Sequence, residues 1–330
     1  MTTTRTSRPA GDAGPTLADL DEDQLLERIF PALPGGPAVL VGPGDDTALL
    51  RARSGAVLAT TDAMVRGRDW LDEWSTGEDV GRKLVAQNAA DIAAMGGRTT
   101  ALLVTLVADP ATSVAWVSDM TTGLAAAAAE AGIAVVGGDL SSAPTGTLAL
   151  SVTALGELDG EPVLRSGAQV GDQVAVHGTL GWSAAGLLLL QRDSATRAPD
   201  LVRYHRAPLP AYEEGPRAAA SGATAMLDIS DGLVRDAGRI AKASDVRIAL
   251  DTGLLADDIG RLVPAVGADG ARDCVLTGGE EHSLLACFPR AGVPSGWRAV
   301  GVVQDGSGVT VDGTVTVGGG WDHFARRATP

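Results

Sequence analysis

The sequence predicts a mixed α/β chain of two domains, and three observations carry that expectation. Its 330 residues are enough for two ordinary hydrophobic cores. Segments with strand-like alternation and segments with the 3.6-residue period of helices are interspersed in both halves. A polar segment, Asp159 to Pro162, falls near the middle and reads as a hinge. We expect a flexible tail over 1–17, one domain over 18–158 and a second over 159–330.

Taken in order, TLADLDEDQLLERIF (16–30) has helical spacing of Leu and Ile behind a Thr cap, and Pro31 ends it. VLVGPGDDTALL and AVLATTDAMV read as strands around turns. Residues 77–97, GEDVGRKLVAQNAADIAAMGG, form the clearest helix, starting with acids and closing on Gly-Gly. TALLVTLVA is a strand, Trp116 to Ala131 a helix, and IAVVGGD and LALSVTALGEL are further strands. The second half opens with VLRSGAQVGDQVAVHGTLGWSAAGLLLLQ, a strand, a Gly-rich turn and an apolar helix. A polar stretch follows, then ATAMLDISDGLVRDAGRIAKAS, the strand VRIALD and a helical stretch to about Gly267. CVLTGGEEHSLLACF leads to a strand-like end made of WRAVGVVQ, GVTVDGTVTV and GGGWDHF.

Composition narrows the function. Hydrophobic content of 45% with 20% charged residues fits a globular chain. A net charge of −15 argues against nucleic acid as a partner, because phosphate backbones are bound by basic surfaces. An acidic protein can still hold phosphates if Mg²⁺ supplies the positive charge. Cys274 and Cys287 offer neither a disulfide framework nor a CxxC pair and read as small buried hydrophobes. The opening MTTTRTSRPAGDAGPT has no apolar core, and LAAAAAEAGIAVV contains Glu130 and is too short to span a bilayer. We expect a cytoplasmic protein with no membrane partner.

The acidic residues recur in one kind of setting. Asp45 and Asp46 follow a Gly-Pro-Gly turn, which fits either a solvated turn or a hard-cation site. Asp62 stands beside Thr60 and Thr61 at what reads as a strand end. Asp139 closes VVGGD, and Asp228 and Asp231 flank Ser230 in LDISDGL. On the helix over 77–97, Leu84, Asn88, Asp91 and Met95 share one face, which turns Asn88 and Asp91 inward. A buried carboxylate needs a cation or several donors, so Asp91 is either a hydrogen-bonded structural group or a metal ligand. The four histidines are scattered, with no HExxH and no zinc-like pairing. Oxygen-only ligands in such number imply several Mg²⁺ ions holding a polyphosphate. Neither GxxxxGK[ST] nor the HRD and DFG set of protein kinases is present.

From about Leu25 to Phe324 the chain resembles the thiamine-monophosphate kinases, within the superfamily of aminoimidazole ribonucleotide synthetase and selenophosphate synthetase. The resemblance rests on GPGDDTALL, TTDAMV, GRKLVAQNAADIAAMGG, VVGGDL, LRSGAQVGD, GTLGWSAAGL, MLDISDGLVRDAGRIAKAS, LTGGEEHSLL and GWDHF, in the family's order. It implies an N-terminal α/β domain whose sheet pairs across a homodimer, and a C-terminal α/β sandwich completing the active site. The implied reaction is direct in-line transfer of the ATP γ-phosphate to thiamine monophosphate, giving thiamine diphosphate and ADP, with Mg²⁺.

By motif, the resemblance implies metal binding by Asp46, Thr60, Thr61, Asp62, Asp91, Asp139, Asp228 and Asp231. It implies ATP contacts at Gly138, Asp139, Arg165 and Ser230, and substrate contacts at Asp69, Glu280 and Trp321. Asp69, within Arg66 to Trp70, stands where the family has a substrate-contacting His. Glu281 and His282 depart from the family's GGEDYEL, Met120 falls near the usual aromatic nucleotide contact, and Ala90 replaces the Ser of NLSD. These departures gather around substrate and base rather than around metal. Two other readings remain: a superfamily enzyme with another phosphate acceptor, and an inactive thiamine-phosphate binding protein.

Overall fold

Two separate sheets organise the chain in a computed structural model that describes residues 14–20, 22–42, 48–316 and 320. The four-stranded sheet belongs to the N-terminal half, in the order β3-β6-β4-β5. Its strands are β3 (Leu58–Val65), β4 (Arg98–Ala108), β5 (Ala134–Ser142) and β6 (Leu148–Glu157). β4 and β5 run parallel and are joined by α3 (Val114–Glu130); the other pairs are antiparallel. A small hairpin, β1 (Val39–Val41) with β2 (Leu49–Leu50), precedes the sheet.

α2 (Gly77–Ala94) is the clearest helix in the sequence and the most enclosed in the fold. Thr76 and Asp79 form a capping box at its start. It packs on the inner face of the four-stranded sheet beside α3, while its other side meets the C-terminal half. Small residues allow this approach: a Cβ on Gly81 would lie 2.1 Å from the Met120 carbonyl oxygen, and one on Gly123 2.1 Å from that of Glu78.

The C-terminal half builds a seven-stranded sheet in the order β13-β12-β9-β11-β7-β10-β8. In chain order its elements are β7 (Gln173–His177), α4 (Trp182–Gln191), α5 (Pro199–Arg206), α6 (Glu214–Ala220), β8 (Ala225–Ile229) and α7 (Leu233–Ser244). There follow β9 (Arg247–Leu250), α8 (Ala256–Val266), α9 (Ala268–Thr277), β10 (Ser283–Phe288), β11 (Arg298–Gln304), β12 (Gly308–Val311) and β13 (Thr314–Val315). Leucines and valines from α4, α7, α8 and α9 cover one face and form the larger core with Val174, Leu227, Leu285 and Val303. Phe288, Met226 and Trp297 pack on the other face. Cys274 and Cys287 are buried and unpaired, as their isolation in the sequence implied.

Several elements differ from expectation. The helix expected over 16–30 is broken: a single turn over Leu17–Asp19 precedes α1 (Glu22–Ile29). Asp19 folds back to accept from the Thr16 backbone and hydroxyl at 2.8 and 2.9 Å, which closes the first turn and leaves Leu20 extended. Leu17 is not loose tail, since its N–H donates to the Thr112 carbonyl at 2.9 Å. The polar stretch before ATAMLDIS holds two short helices, α5 and α6; Pro199 opens α5 at a position that needs no N–H. Both strands expected to end at their acids continue past them, since β3 runs on from Asp62 to Val65 and β5 from Asp139 to Ser142. Pairing along β6 and β4 sustains them, with an irregularity in register at Leu102/Leu103.

Candidate active site

Strand alternation decides which acids can meet, since successive side chains point to opposite faces. Thr60 and Asp62 point from β3 to the inner face, towards α2. There the Thr60 hydroxyl donates to Asp91 Oδ2 at 2.7 Å, and the Asp62 N–H donates to Asn88 Oδ1 at 3.2 Å. Asn88 in turn donates to the Leu84 carbonyl at 2.9 Å. Asn88 and Asp91 therefore face inward, as their helical spacing indicated.

β8 brings Asp228 to the same place. Burial pushes the Asp91 carboxyl up to about 7, with further pressure from the Asp228 and Asp62 charges and partial relief from the Thr60 hydroxyl. Like charges crowd here in a poorly solvated cleft, which is the electrostatic condition a divalent cation relieves. Asp228 is itself buried and paired with His282 Nδ1 at 3.0 Å. Burial pulls His282 down, but the Asp228 carboxylate overrides this and raises it above the usual imidazole range.

The segment linking α9 to β10 lies against the end of β8. Glu280 N–H donates to the Ser230 carbonyl at 2.8 Å and His282 N–H to that of Ile229 at 2.9 Å. Both residues take left-handed φ values, 59° and 54°. The Glu280 carboxylate meets Lys83 Nζ of α2 at 2.7 Å and His205 Nδ1 of α5 at 3.5 Å. Burial opposes its charge, but the Lys83 ammonium and then His205 hold the Glu280 pKa below the ordinary value. Glu281 is fully buried and accepts from the Thr179 hydroxyl and the Ser183 N–H, both at 2.7 Å, at the start of α4. Burial raises it to about 7.

Other expected residues are placed elsewhere. Thr61 points to the outer face of the sheet, where its hydroxyl donates to the Val152 carbonyl at 3.0 Å. Asp139 is on that outer face too, opposite Thr105, which is opposite Ser151; it accepts from Ser141 at 2.9 Å. Along the register Asp62, Val152, Val104 and Gly138 form one row, so the Asp62 and Asp139 positions are about 14 Å apart across three strand spacings as well as on opposite faces. A Cβ on Gly138 would fall 1.7 Å from the Val104 carbonyl oxygen, so only glycine fits there.

Gly138 and Asp139 line a cavity of about 420 Å³ beside β5, with Met120, Thr121 and Leu124 of α3 on one wall. Asp231 is occupied by Arg239 and, at 3.6 Å, by Arg235. Asp236 supports this arrangement by accepting from the N–H groups of Asp231 and Gly232 at 2.9 and 3.0 Å. The Arg165 carbonyl accepts from Ser244 at the far end of α7, about 18 Å of helix away from Asp231. Asp69 Oδ2 accepts from the Val65 N–H at 2.6 Å and shapes the turn after β3. Asp46 and Trp321 lie outside the described residues.

Lys83 and His205 were not assigned to the site from the sequence, where the histidines looked scattered, and His282 was noted only as a departure from the family's motif. Lys83 did carry a signal: it shares a helix face with Ala86, Ala90 and Ala94, a poor place for an ammonium without a partner. Among the described residues, no three carboxylate, imidazole or thiol groups converge as a preformed metal cage. Asp62, Asp91 and Asp228 still fit Mg²⁺, which takes one or two carboxylates and completes its shell with water and phosphate.

Known proteins agree with this architecture. A family model described as AIR synthase related protein, N-terminal domain, matches residues 44–158. The thiamine-monophosphate kinase of Mycobacterium tuberculosis is 46% identical over 317 residues, covering 94% of each chain. That of Corynebacterium glutamicum is 38% identical over 326 residues, covering 94% of this chain and 96% of the relative. Among solved structures, thiamine-monophosphate kinase from Stenotrophomonas maltophilia superposes with a TM-score of 0.77 at 32% identity, over 89% of this chain and 96% of that one. A structure described as AaThiL complexed with AMPPCP and TMP superposes with a TM-score of 0.76 at 31% identity, over 92% and 95%. With near full-length similarity on both sides, and an inward Asp62, Asp91 and Asp228 constellation on the shared fold, the chain belongs to the thiamine-monophosphate kinase family.

Proposed function

We propose that this chain is a thiamine-monophosphate kinase that transfers the ATP γ-phosphate directly, in line, to the phosphate of thiamine monophosphate. The observation that carries this reading is the gathering of Asp91, Asp228 and Asp62 in a buried cleft, where burial first and the neighbouring charges second hold Asp91 up at about 7. When bound there, Mg²⁺ would neutralise the phosphates and bring two anionic reactants together. Asp62, Asp91 and Asp228 are the residues that would hold it, with Asp46 and Asp231 as further candidates. Thr60 orients Asp91, and His282 orients Asp228. The acceptor phosphate is already ionised at neutral pH, so the chain need not supply a general base.

The cavity beside β5 is of the size used for small ligands, about 300–1,000 Å³, and its apolar wall around Met120 suits the adenine. Gly138 would let the nucleotide approach the backbone, with Ser230 and Arg165 as phosphate contacts. Glu280 would meet the aminopyrimidine, and Trp321 would stack on the thiamine rings. Asp69 keeps one oxygen free of the turn for the thiazolium; Asp69→Asn, which retains the turn, should raise the KM for the acceptor, and an unchanged KM removes this contact.

We further propose a homodimer formed through the outer face of the four-stranded sheet. Exposed Leu103 and Val65 on that face need a cover, and Thr61 and Asp139 point there, away from Asp62. A second copy would bring its Asp139 against the Thr61 side of its partner's β3, where Asp62 is the next residue in the chain. Division at residues 158/159 into two domains, and a cytoplasmic location, complete the reading. Among the described residues no helix is long and apolar enough to cross a membrane.

Product analysis tests the activity. Protein with ATP, MgCl₂ and thiamine monophosphate should yield thiamine diphosphate, EDTA should abolish it, and free thiamine should yield none. A folded protein that binds ATP yet leaves the monophosphate untouched would transfer the reading to a different acceptor.

A further inference from the structure

We infer that Lys83 is a positioning residue for the acceptor, fixing the Glu280 carboxylate in the one orientation that receives the thiamine end of the substrate. This rests on the kinase reading above and assigns a task to a group which that reading leaves unused.

Lys83 is one of two lysines in the chain, and its side chain is only 4% exposed. A buried ammonium without a partner is strongly unfavourable, and the partner here is Glu280 Oε1 at 2.7 Å. Glu280 differs in being 38% exposed, so its carboxylate is tethered from inside and open to a ligand from outside. Its backbone is already fixed, through the left-handed φ of 59° and the bond to the Ser230 carbonyl. What remains free is the direction of the side chain.

Two basic groups compete to set that direction. His205 Nδ1 is 3.5 Å from Oε2 and 3.0 Å from the Ser183 hydroxyl. Burial, and then the nearby Lys83 charge, push His205 down to about 4, so it is neutral at neutral pH. Lys83 is thus the charged one of the two, and a charge-assisted bond orients more strongly than a neutral one. The tether also joins two parts of the site. Lys83 lies two turns before Asp91 on α2, and Glu280 hangs from the carbonyl of Ser230, two residues after Asp228. Holding Glu280 on Lys83 therefore sets the acceptor's ring end at a fixed distance from the carboxylates that serve its phosphate end, which is preorganisation for in-line attack.

The test compares wild type, Lys83→Met, Glu280→Gln and the double variant, in steady-state kinetics with each substrate varied and in calorimetric titration with thiamine monophosphate. We expect Lys83→Met to raise the acceptor KM and Kd by about tenfold or more, with kcat and the ATP KM within about threefold. The double variant, which leaves no unpaired charge, should be no worse than Glu280→Gln alone, because Lys83 acts through that carboxylate. Equal rises in both KM values, a fall in kcat at constant acceptor KM, or additive losses in the double variant would each overturn the proposal in favour of a general structural role. If Lys83→Met does not fold, the double variant against Glu280→Gln decides by the same criterion. Absence of product from wild type itself would instead reject the kinase reading on which the assignment stands.

Discussion

Asp91 shows how one side chain can be unfavourable for the fold and still suit the chemistry proposed for it. Its folded pKa of about 7 lies above the ordinary 3.8, so protonated Asp91 is the better-accommodated form. A carboxyl raised on folding contributes its full stability below the unfolded pKa and loses it as pH rises through the folded one. In EDTA, thermal stability should therefore fall between about pH 4 and pH 7, with Asp236 and Glu281, also raised by burial, adding to the same slope. Asp91→Asn should remove part of that slope and raise the melting temperature at pH 8 by roughly 5 °C, for about 2 kcal/mol. The same variant should lose at least ~10²-fold in kcat. A lower melting temperature would mean that Asp91 is a structural carboxylate instead.

Asp91 and Asn88 were legible because a helical face is a local property. His282 and His205 were not: each depends on a partner 54 or 75 residues away, Asp228 for His282 and Glu280 for His205, brought near only by the tertiary fold. Motif resemblance placed Glu280 at the site, but its ammonium partner needed the structure.

At the scale of elements, position within a strand misled and alternation corrected. Asp62 and Asp139 both precede small or apolar residues and read as strand ends, yet both lie inside strands whose neighbours sustain the pairing. What distinguishes them is the face, and the face follows from register, which one sequence does not fix. The short helices α5 and α6 were missed because two turns carry too little periodicity to stand out from a polar stretch.

Helix α2 offers a sharper test, because it positions Lys83, Asn88 and Asp91 together. An alanine within a helix is favoured over glycine by up to about 1 kcal/mol where there is room. Gly238→Ala in α7 meets only Val309 Cγ2 at 3.7 Å, an ordinary contact, and should stabilise by a few tenths to about 1 kcal/mol. Gly81→Ala meets the Met120 carbonyl at 2.1 Å and must push α2 off α3, which should cost about 2–3 kcal/mol despite the better propensity. Urea midpoints read both signs. Stabilisation by Gly81→Ala would show that the two helices have slack between them, and the rigid placement of Asp91 would lose its support.

The whole molecule raises the question of where one active site begins and ends. A single sheet cannot turn Asp62 and Asp139 to the same ion, because they project from opposite faces about 14 Å apart. If both serve one phosphate chain, the second must come from another copy, delivered at the edge strand β3, where Thr61 faces the outer surface and Asp62 lies next to it. Symmetry then gives a test by mixing. Asp62→Asn and Asp139→Asn chains should each be nearly inactive alone. Refolded together in equal amounts, half the dimers should be mixed, and each mixed dimer should hold one site with both aspartates intact and one with neither. Activity should return to about one quarter of wild type. If each chain completes its own site, every site in the mixture carries one substitution and no activity returns. Sedimentation of the separate variants distinguishes that outcome from a failure to dimerise: intact dimers without recovery would place Asp139 outside the shared site, whereas monomers would remove the sheet as the dimer face.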